Sequence, residues 1–373
     1  MTAPVRIAVI GAGTITQSVH LPSLARAGYE IAVVCDLSPS RVAEVTGRTG
    51  IRGTTSPAEA IAAPEVEAVL IATPGSHAQL ALAAIRAGKH VLAEKPLALT
   101  IAEIEELEAA AAEAGVVAQV GYMKMYDPLT ERARAELAEL DDVRLVRITV
   151  AHPDDLPQVD HLRMTPPQPD ADLAEIERAQ AYEAEQSAIA LPGASEAVQR
   201  YYRNVLNGSV VHELSLLRAL GLELPETWTA EAFPTLEGSA PASLIATAAV
   251  GDVRYVLSWN WLPEYPEYDE ELKVLASNGR LEYHLAKPYL LEERSRLRVE
   301  RNVGLERRDT SYADGYETGF LRQLDAFTRS IRHDEPVVSD FAGAKRDVRS
   351  LQALAKAVAA ARGETISTEA DAA

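Results

Sequence analysis

The sequence predicts an α/β domain with a doubly wound parallel sheet, followed by an α+β domain with a large, mainly antiparallel open sheet. Over residues 1–122, continuous apolar runs alternate with helix-like stretches, which is typical of parallel strands buried on both faces. Over residues 227–301, short segments alternate between polar and apolar residues, which indicates strands with one solvated face. A chain of 373 residues is also long enough for two domains.

The composition limits the partners and the compartment. Lys and Arg number 36 against 55 Asp and Glu, and the formal net charge of −19 argues against a nucleic-acid or anionic-membrane surface. The single cysteine, Cys35, excludes an internal disulfide and a cysteine metal cluster, and it fits a reducing compartment. The sequence contains no run of about 20 apolar residues, the length that could span a membrane, and the first apolar run does not resemble a signal peptide. We therefore expect a cytoplasmic protein that binds no nucleic acid, membrane or metal.

The first strand leads into a glycine-rich turn. Residues 5–10 (VRIAVI) are apolar, G-A-G-T-I-T follows, and a helical stretch then runs to about residue 27. Gly11 permits the tight turn, and Gly13 lets the backbone approach a pyrophosphate. That group would rest on the helix N-terminus at Thr14 and Ile15. The third small residue of the usual fingerprint is replaced by Thr16.

The second strand ends on an acidic residue. Asp36 follows the apolar residues 31–35, and it lies 23 residues after Gly13. A carboxylate there accepts hydrogen bonds from ribose hydroxyls and repels a 2′-phosphate. Together with the glycine turn, this predicts a Rossmann domain that binds NAD in preference to NADP. Arg41 and Arg48 keep NADP open as an alternative.

The alternation of strands and helices continues to residue 122. Ser56, Pro57 and Glu59 have the pattern of a capped helix start. Further elements are predicted for residues 66–72, 78–87, 90–92, 101–114 and 116–120. We therefore assign residues 1–122 to a nucleotide-binding domain.

One lysine is expected at the ligand-binding edge of this sheet. Lys95 follows the apolar residues 90–92 within A-E-K-P-L, and Pro96 holds the residue before it out of the helical region. A lysine at the carboxyl end of a strand in an open α/β sheet points into the crevice where ligands bind.

The remainder of the chain is predicted to form the second domain, residues 123–373, with an insertion at about 152–205. The insertion begins with a proline-rich loop and continues as a charged helix. Asn278-Gly279 predicts a tight hairpin turn. Trp259 and Trp261 share one strand face, where we expect subunit packing. The other predicted elements cover residues 130–140, 143–151, 172–189, 210–220, 242–250, 253–261, 271–276, 280–285, 316–332 and 342–361.

The order G-x-G-x-x-T, T-P-x-x-H, A-E-K-P-L resembles the Gfo/Idh/MocA oxidoreductase family. The resemblance implies an NAD(P)-binding first domain and a second domain whose sheet forms a substrate wall and the interface of a homo-oligomer, a dimer or tetramer. It implies that Lys95 lies between the nicotinamide and a substrate hydroxyl, and that Glu94 contacts the nicotinamide ribose. Thr73, Pro74 and His77 would lie along the cofactor.

The resemblance also implies a second catalytic element, D-x-x-x-H, early in a helix of the second domain. His212 matches the histidine, which accepts the hydroxyl proton, but Gly208 occupies the aspartate position. Another residue must then orient His212. The candidates are Glu213, Asn207, Asp154, Asp155 and Asp160.

Four further residues are candidates for the substrate side. Lys124 stands where many family members have an arginine. Arg163, Tyr202 and Arg203 lie in the insertion, and the arginines would read an anionic group on a sugar.

These features lead to three hypotheses. The first is an NAD-dependent oxidoreductase acting on a hydroxyl of a sugar, cyclitol or glycoside. The second is a redox-neutral, NAD-dependent glycoside hydrolase that oxidises, eliminates, hydrates and re-reduces its substrate. The third is a non-catalytic, cofactor-binding regulator.

Overall fold

A computed structural model describes residues 3–164, 169–238, 240–313 and 315–371. Residues 165–168 of the predicted proline-rich loop lie outside the described residues. The chain forms two compact units: the first comprises residues 1–123, 159–186 and 320–345, and the second comprises 124–158, 187–319 and 346–373. The division at residue 122 and the insertion at about 152–205 stay predictions of domain organisation.

The first unit contains a six-stranded sheet in the order β3-β2-β1-β4-β5-β6, with every neighbouring pair parallel. This confirms the predicted doubly wound sheet, and the strand order reverses between β1 and β4. The short β3 was missed by the sequence prediction. The strands are β1 Arg6–Ile10, β2 Glu30–Cys35, β3 Arg52–Thr54, β4 Ala68–Ile71, β5 His90–Ala93 and β6 Ala118–Val120.

The second unit contains an eight-stranded sheet in the order β14-β13-β12-β11-β7-β10-β9-β8. Its pairs are antiparallel except for β7 and β10, which run parallel, so the predicted mainly antiparallel sheet is confirmed. The strands are β7 Val143–His152, β8 Thr229–Phe233, β9 Ser243–Val250, β10 Val253–Trp261, β11 Asp269–Ala276, β12 Gly279–His284, β13 Arg296–Val303 and β14 Glu306–Ala313.

The helices follow in chain order. They are α1 Leu21–Arg26, α2 Pro39–Thr49, α3 Pro57–Ala62, α4 Ala78–Arg86, α5 Ile101–Ala114, α6 Pro128–Leu137, α7 Asp155–Val159, α8 Leu173–Ala190, α9 Glu196–Tyr201, α10 Val211–Ala219, α11 Gly319–His333 and α12 Phe341–Ala361. π-Helical segments cover Thr16–His20 and Tyr202–Val210, and 3-10 segments cover Met123–Tyr126, Asp160–Leu162 and Glu369–Asp371. Among the described residues, no helix is both long enough and apolar enough to cross a membrane.

Local sequence signals account for several helix ends. The α3 helix begins at Ser56, whose side chain accepts the backbone N–H of Glu59 as predicted. A capping box between Thr100 and Glu103 starts α5, which ends at Gly115 in the left-handed conformation.

The hairpin between β11 and β12 differs in detail from the prediction. Leu275 pairs with Arg280, which leaves Ser277 and Asn278 as the turn, one residue earlier than expected. Gly279 instead begins β12, and a Cβ atom there would lie 2.2 Å from the carbonyl oxygen of Glu300. The glycine is therefore required by close packing against the neighbouring strand.

The core of the first unit includes a segment from late in the chain. Apolar residues of β1, β2, β4 and β5 pack with Leu324 and Phe327 of α11, all of them buried. The Tyr29 hydroxyl donates a hydrogen bond of 2.7 Å to the Leu324 carbonyl oxygen. The α11 helix is thus an integral part of the first unit.

Candidate active site

The turn after β1 has the geometry required by a dinucleotide. Gly11 has φ +96°, and a Cβ atom at this position would lie 2.4 Å from the Ala72 carbonyl oxygen. A Cβ atom at Gly13 would have nothing within 4 Å, so the backbone there faces open space. The Thr16 hydroxyl donates to the Gly11 carbonyl oxygen at 2.7 Å, which explains how threonine replaces the usual small residue. The turn fits a pyrophosphate lying over Gly13 and the following N–H groups of Thr14 and Ile15.

The Asp36 carboxylate follows the end of β2 and binds the backbone of this turn. Its Oδ2 accepts the Ala12 backbone N–H at 2.8 Å, and its Oδ1 accepts the Ser38 backbone N–H at 2.9 Å. An ionised carboxylate has about four acceptor positions, so capacity remains for ribose hydroxyls. The two backbone contacts fix the carboxylate where the adenosine ribose lies in this fold.

The loop after β4 is tied to the loop after β5 by a buried imidazole. His77 Nδ1 lies 2.7 Å from the Pro96 carbonyl oxygen, and Nε2 lies 2.9 Å from the Thr73 carbonyl oxygen. Burial lowers the pKa of His77 despite these two acceptors, so the ring is neutral at neutral pH. His77 therefore positions the loop of Thr73 and the partly exposed Pro74, and its own ring is enclosed.

Glu94 and Lys95 follow directly from the buried strand β5. Glu94 is 7 % exposed, and its Oε1 lies 2.9 Å from His20 Nε2. Burial raises the pKa of Glu94, but the hydrogen bond and charge of His20, together with Lys95, hold it below its ordinary value. The carboxylate is therefore ionised beside Lys95, whose side chain is only half-buried. The Lys95–Pro96 peptide bond is cis.

The second unit contains a buried charge cluster formed by Lys124, Glu213, Glu270 and Tyr268. Lys124 Nζ lies 3.0 Å from Glu213 Oε1 and 2.6 Å from Glu270 Oε2, and the Tyr268 hydroxyl donates to the same Glu270 oxygen at 2.6 Å. All four side chains are at most 6 % exposed. Two carboxylates thus share one ammonium group away from water.

Burial and neighbouring charges act differently on the pKa values of Lys124 and Glu213. Burial alone lowers the pKa of Lys124, but the two carboxylates outweigh it and raise that pKa, so the lysine stays charged. Burial is the largest cause that raises the pKa of Glu213, to about 7, against the opposing charge of Lys124. Glu213 Oε2 has no hydrogen-bond partner in the described part of the chain, which leaves a place for a proton. Glu213 therefore gains and loses its proton near neutral pH.

His212 is the second residue of α10, which follows an unusual helical segment. The sequence predicted separate helical pieces, whereas α9, the π-helix Tyr202–Val210 and α10 run without a break. At the junction, the Val211 backbone N–H donates to the Leu206 carbonyl oxygen, five residues back. A π-helix has a wider turn than an α-helix, in which each N–H donates to the carbonyl oxygen four residues back.

Comparisons with known proteins agree with these observations. Residues 5–122 match the GFO_IDH_MocA family model, described as an oxidoreductase family with an NAD-binding Rossmann fold. Over residues 5–122 the chain is thus similar to the Gfo/Idh/MocA family.

Two curated relatives each match about a third of the chain. Inositol 2-dehydrogenase 3 of Saccharopolyspora erythraea is 42% identical over 127 residues, which are 33% of this chain and 37% of that protein. The 1,5-anhydro-D-fructose reductase of Ensifer adhaerens is 41% identical over 114 residues, which are 30% and 34% of the two chains. The chain thus spans about a third of the length of these relatives.

One solved structure covers both units. GenD2 from gentamicin A biosynthesis, crystallised in complex with NAD, has a TM-score of 0.71 over 97% of this chain and 96% of its own, at 20% identity. At that identity the likeness establishes the shared fold.

Three of the four substrate-side candidates are enclosed or occupied by other side chains. Lys124 is held by two carboxylates. Tyr202 is fully buried in the π-helix. Arg203 donates to Ser187 Oγ at 2.5 Å and to Glu196 Oε1 at 2.7 Å. Arg163 differs from all three because its side chain is exposed.

The tryptophans of β10 are part of an aromatic cluster in the second unit. Trp259 and Trp261 stack with centroids 6.5 Å apart, which confirms that they share a face, and His152 lies within 5.6 Å of both. Trp259 is 2 % exposed and donates to Ser209 Oγ at 2.8 Å. Trp259 therefore packs inside its own unit, and the expectation that it packs against another subunit was wrong. Trp261 is half-buried.

Sequence reasoning missed several members of this site. It overlooked His20 and Glu270, because each is far in sequence from the residue that it contacts, and Tyr268, which contacts Glu270. Among the described residues, no group of three or more His, Cys, Asp or Glu side chains is arranged to hold a metal ion.

Proposed function

We propose that the protein is an NAD-dependent oxidoreductase that transfers hydride between the nicotinamide and a hydroxyl-bearing carbon of a sugar, cyclitol or glycoside. The observation that carries the proposal is the position of Glu94 and Lys95 at the carboxyl end of β5, two strands from the glycine turn after β1. Ligands bind at this edge in open parallel sheets. The names of the relatives, an inositol dehydrogenase and an anhydrofructose reductase, support interconversion of an alcohol and a carbonyl group.

Lys95 would stabilise the reacting oxygen. When bound, NAD supplies the hydride acceptor, and the protein supplies position and charge. As hydride leaves the carbon, negative charge develops on the hydroxyl oxygen, and a nearby ammonium group stabilises it. Glu94 would hold the nicotinamide ribose, and its hydrogen bond with His20 fixes the carboxylate.

His212 would accept the hydroxyl proton, and Asn207 would orient it. Asn207 lies about one helical turn before His212, next to residue 208, where the family aspartate would stand. Asn207 is fully buried, and its Nδ2 donates to the Tyr202 carbonyl oxygen at 3.0 Å. Its Oδ1 has no hydrogen-bond partner in the described part of the chain and is available as an acceptor.

Other candidates for this orienting role are less suitable. Glu213 is already engaged with the Lys124 ammonium. A Cβ atom at Gly208 would meet only the Arg203 carbonyl oxygen at 3.7 Å, an ordinary contact, so packing does not demand glycine there.

Substrate turnover tests the proposal directly. We would mix the purified protein with NAD and a panel of cyclitols, free sugars, methyl glycosides and uronic acids, and follow reduced nicotinamide by its absorbance. Sustained NADH formation with at least one member is the expected result. If calorimetry detects binding of neither NAD nor NADP, the proposal fails. Cofactor binding without turnover, with cellular function intact in Lys95→Ala and His212→Ala, would instead support a regulator.

A second reaction class uses the same residues. A redox-neutral glycoside hydrolase oxidises one substrate hydroxyl, eliminates the aglycone, adds water and reduces the sugar again. The observation that favours it is the α8 helix, whose Glu183 Oε1 accepts the Ser76 backbone N–H at 2.7 Å beside the cofactor loop. A helix held there would slow nucleotide release, which a redox-neutral cycle does not require. Aglycone release without net NADH would establish this class, and the exposed Arg163 would suit an anionic glycoside.

We also propose a homo-oligomer, a dimer or tetramer, that uses the second sheet. Phe233 of β8 is 68% exposed and Ile245 of β9 is 60% exposed at the β8 edge of that sheet. Exposed apolar groups on a sheet support an interaction surface. Light scattering coupled to gel filtration would measure the mass, and a monomer at micromolar concentration would contradict this assignment.

A further inference from the structure

A segment of the insertion lies against the loop that follows β2. The Ser38 hydroxyl donates a hydrogen bond to Asp170 Oδ1, and the Ser40 backbone N–H donates to Asp170 Oδ2 at 2.9 Å. Nearby, the Asp172 backbone N–H donates to the Leu37 carbonyl oxygen. These residues belong to the first unit, although they lie about 130 positions apart in the chain.

The groups that Asp170 occupies are those that a 2′-phosphate would use. Asp36 lies at the ribose position, so a phosphate on the 2′-oxygen would project toward the residues just after it. Ser38 and Ser40 supply a hydroxyl and a backbone N–H at the beginning of α2, and such donors bind phosphate well. Here both already bind a carboxylate, whose charge would also repel the phosphate.

The nearby arginines do not offset this charge. Arg41 Nη1 lies 3.0 Å from Glu44 Oε2, and Arg48 Nη1 lies 3.9 Å from Glu44 Oε1. Arg48 also donates to Gln17 Oε1 at 2.7 Å. Both cations that could favour NADP are therefore engaged by other side chains.

The α8 helix, which follows Asp170, is also held to the first unit by two of its side chains. Glu183 Oε1 accepts the Ser76 backbone N–H, and the Tyr182 hydroxyl donates to Glu103 Oε1 at 2.6 Å. A Cβ atom at Gly75 would lie 1.7 Å from Glu183 Oε1, so glycine makes this approach possible. The hydrogen bond from Ser38 is the largest cause that lowers the pKa of Asp170, so the carboxylate is ionised at neutral pH.

We propose that Asp170 is a specificity-determining residue that excludes NADP by occupying the site of its 2′-phosphate. This inference rests on the proposed function, because it requires the first unit to bind a nicotinamide dinucleotide. It assigns the choice of cofactor to two carboxylates: Asp36 of the strand end and Asp170 of the insertion.

Calorimetric titration of the full chain with NAD and with NADP tests this assignment. In Asp170→Asn, the ratio of the NADP Kd to the NAD Kd should fall about tenfold, because one charge close to a doubly charged phosphate is removed. The Kd for NAD should change less than about threefold. The matched control is Glu177→Gln, which removes an exposed charge of α8 and should leave the ratio unchanged.

Three further measurements complete the test. Asp170→Ser should give a similar fall, and circular dichroism of each variant would establish that it is folded. The ratio in the wild type should shrink as ionic strength rises, since the repulsion is screened. If NAD binds but the ratio is unchanged in both folded Asp170 variants, the inference is overturned while the proposed function stands. If no variant and no wild-type sample binds either dinucleotide, both are overturned.

Discussion

The candidate catalytic residues of the two units are held in different ways. In the first unit, Gly11, Asp36 and Lys95 are positioned by backbone hydrogen bonds and by strand ends. In the second unit, the helix that carries His212 is anchored by the buried cluster of Lys124 and Glu213 with Glu270. The contacts that position Lys95 join residues near strand ends and leave a half-buried lysine available. The contacts that support the helix of His212 join residues far apart in the chain, and they use a buried lysine for support.

Two lysines therefore have opposite consequences when they are removed. Lys95 is expected to matter for the reaction and little for stability. Lys124 is expected to matter for stability, and for the reaction only through α10. Substitutions of the two lysines, and then of Glu213 and Asn207, test this contrast between reaction and stability.

Replacement of Lys95 by methionine should have the largest effect. Loss of the ammonium beside the reacting oxygen should lower kcat about a thousandfold or more. The free energy of unfolding and the free energy of NAD binding should each stay within about 1 kcal/mol of the wild type, because the side chain is only half-buried. Turnover, calorimetry and urea unfolding measure the three quantities. Lys356→Met, at an exposed ion pair, is the control, and equal activity in the two variants would break the contrast.

The variant Lys124→Met should show the reverse pattern. It leaves two buried carboxylates without their cation, which should lower the free energy of unfolding by about 4 kcal/mol. Urea unfolding followed by tryptophan fluorescence measures this loss. The triple variant Lys124→Met/Glu213→Gln/Glu270→Gln removes the charges together and should recover most of it. A loss below about 1 kcal/mol in the single variant would mean that the cluster does not support the unit.

The pH dependence of stability isolates Glu213. Its pKa is raised from 4.5 to about 7 in the folded chain, so the folded state binds a proton that the unfolded state has released. Its stabilising contribution is therefore complete below about pH 4.5 and is lost as the pH rises toward 7. The shift corresponds to a fall on the order of 3 kcal/mol. Glu213→Gln should remove this slope from unfolding curves measured across that range. An unchanged slope would show that Glu213 is ionised throughout.

Asn207 should give the smallest effect. Asn207→Leu removes the side-chain acceptor and should lower kcat/KM about tenfold, whereas Asn207→Asp should retain activity. In the aspartate variant, the acidic limb of the pH–rate profile should move to higher pH, because a carboxylate near His212 favours the protonated ring. Gly208→Ala serves as the neighbouring control and should stay within about twofold. Equal losses in the leucine and aspartate variants, with no movement of the profile, would leave Asn207 a purely structural residue.

The sequence predicted the candidate residues of the first unit and little of what supports His212 in the second unit. The glycine turn, Asp36 and the residues from Glu94 to Pro96 are predictable because each follows a strand at short range. The Lys124 cluster joins residues 89 and 146 positions apart, and no local pattern announces such contacts. The π-helical register is equally hidden, since its i to i+5 bonds have no distinct residue preference to read.

The fold shows the same division. The buried strands β1, β4 and β5 were predicted from their apolar runs. Strand β14 was missed because seven of its eight residues are exposed and its sequence, ERRDTSYA, carries no apolar alternation. Asp170 was not predicted as a site residue because its partners, Ser38 and Ser40, lie about 130 positions earlier in the chain.

The packing of α11 into the first unit has a consequence for how the protein is made. Phe327 and Leu324 complete a core whose other members leave the ribosome much earlier. Roughly 200 residues separate residue 123 from residue 320, and at about 5–20 residues per second their synthesis takes about 10–40 s. During that interval the nascent nucleotide-binding fold lacks the helix that covers one part of its apolar interior. Part of that apolar core therefore has no cover until α11 has been synthesised.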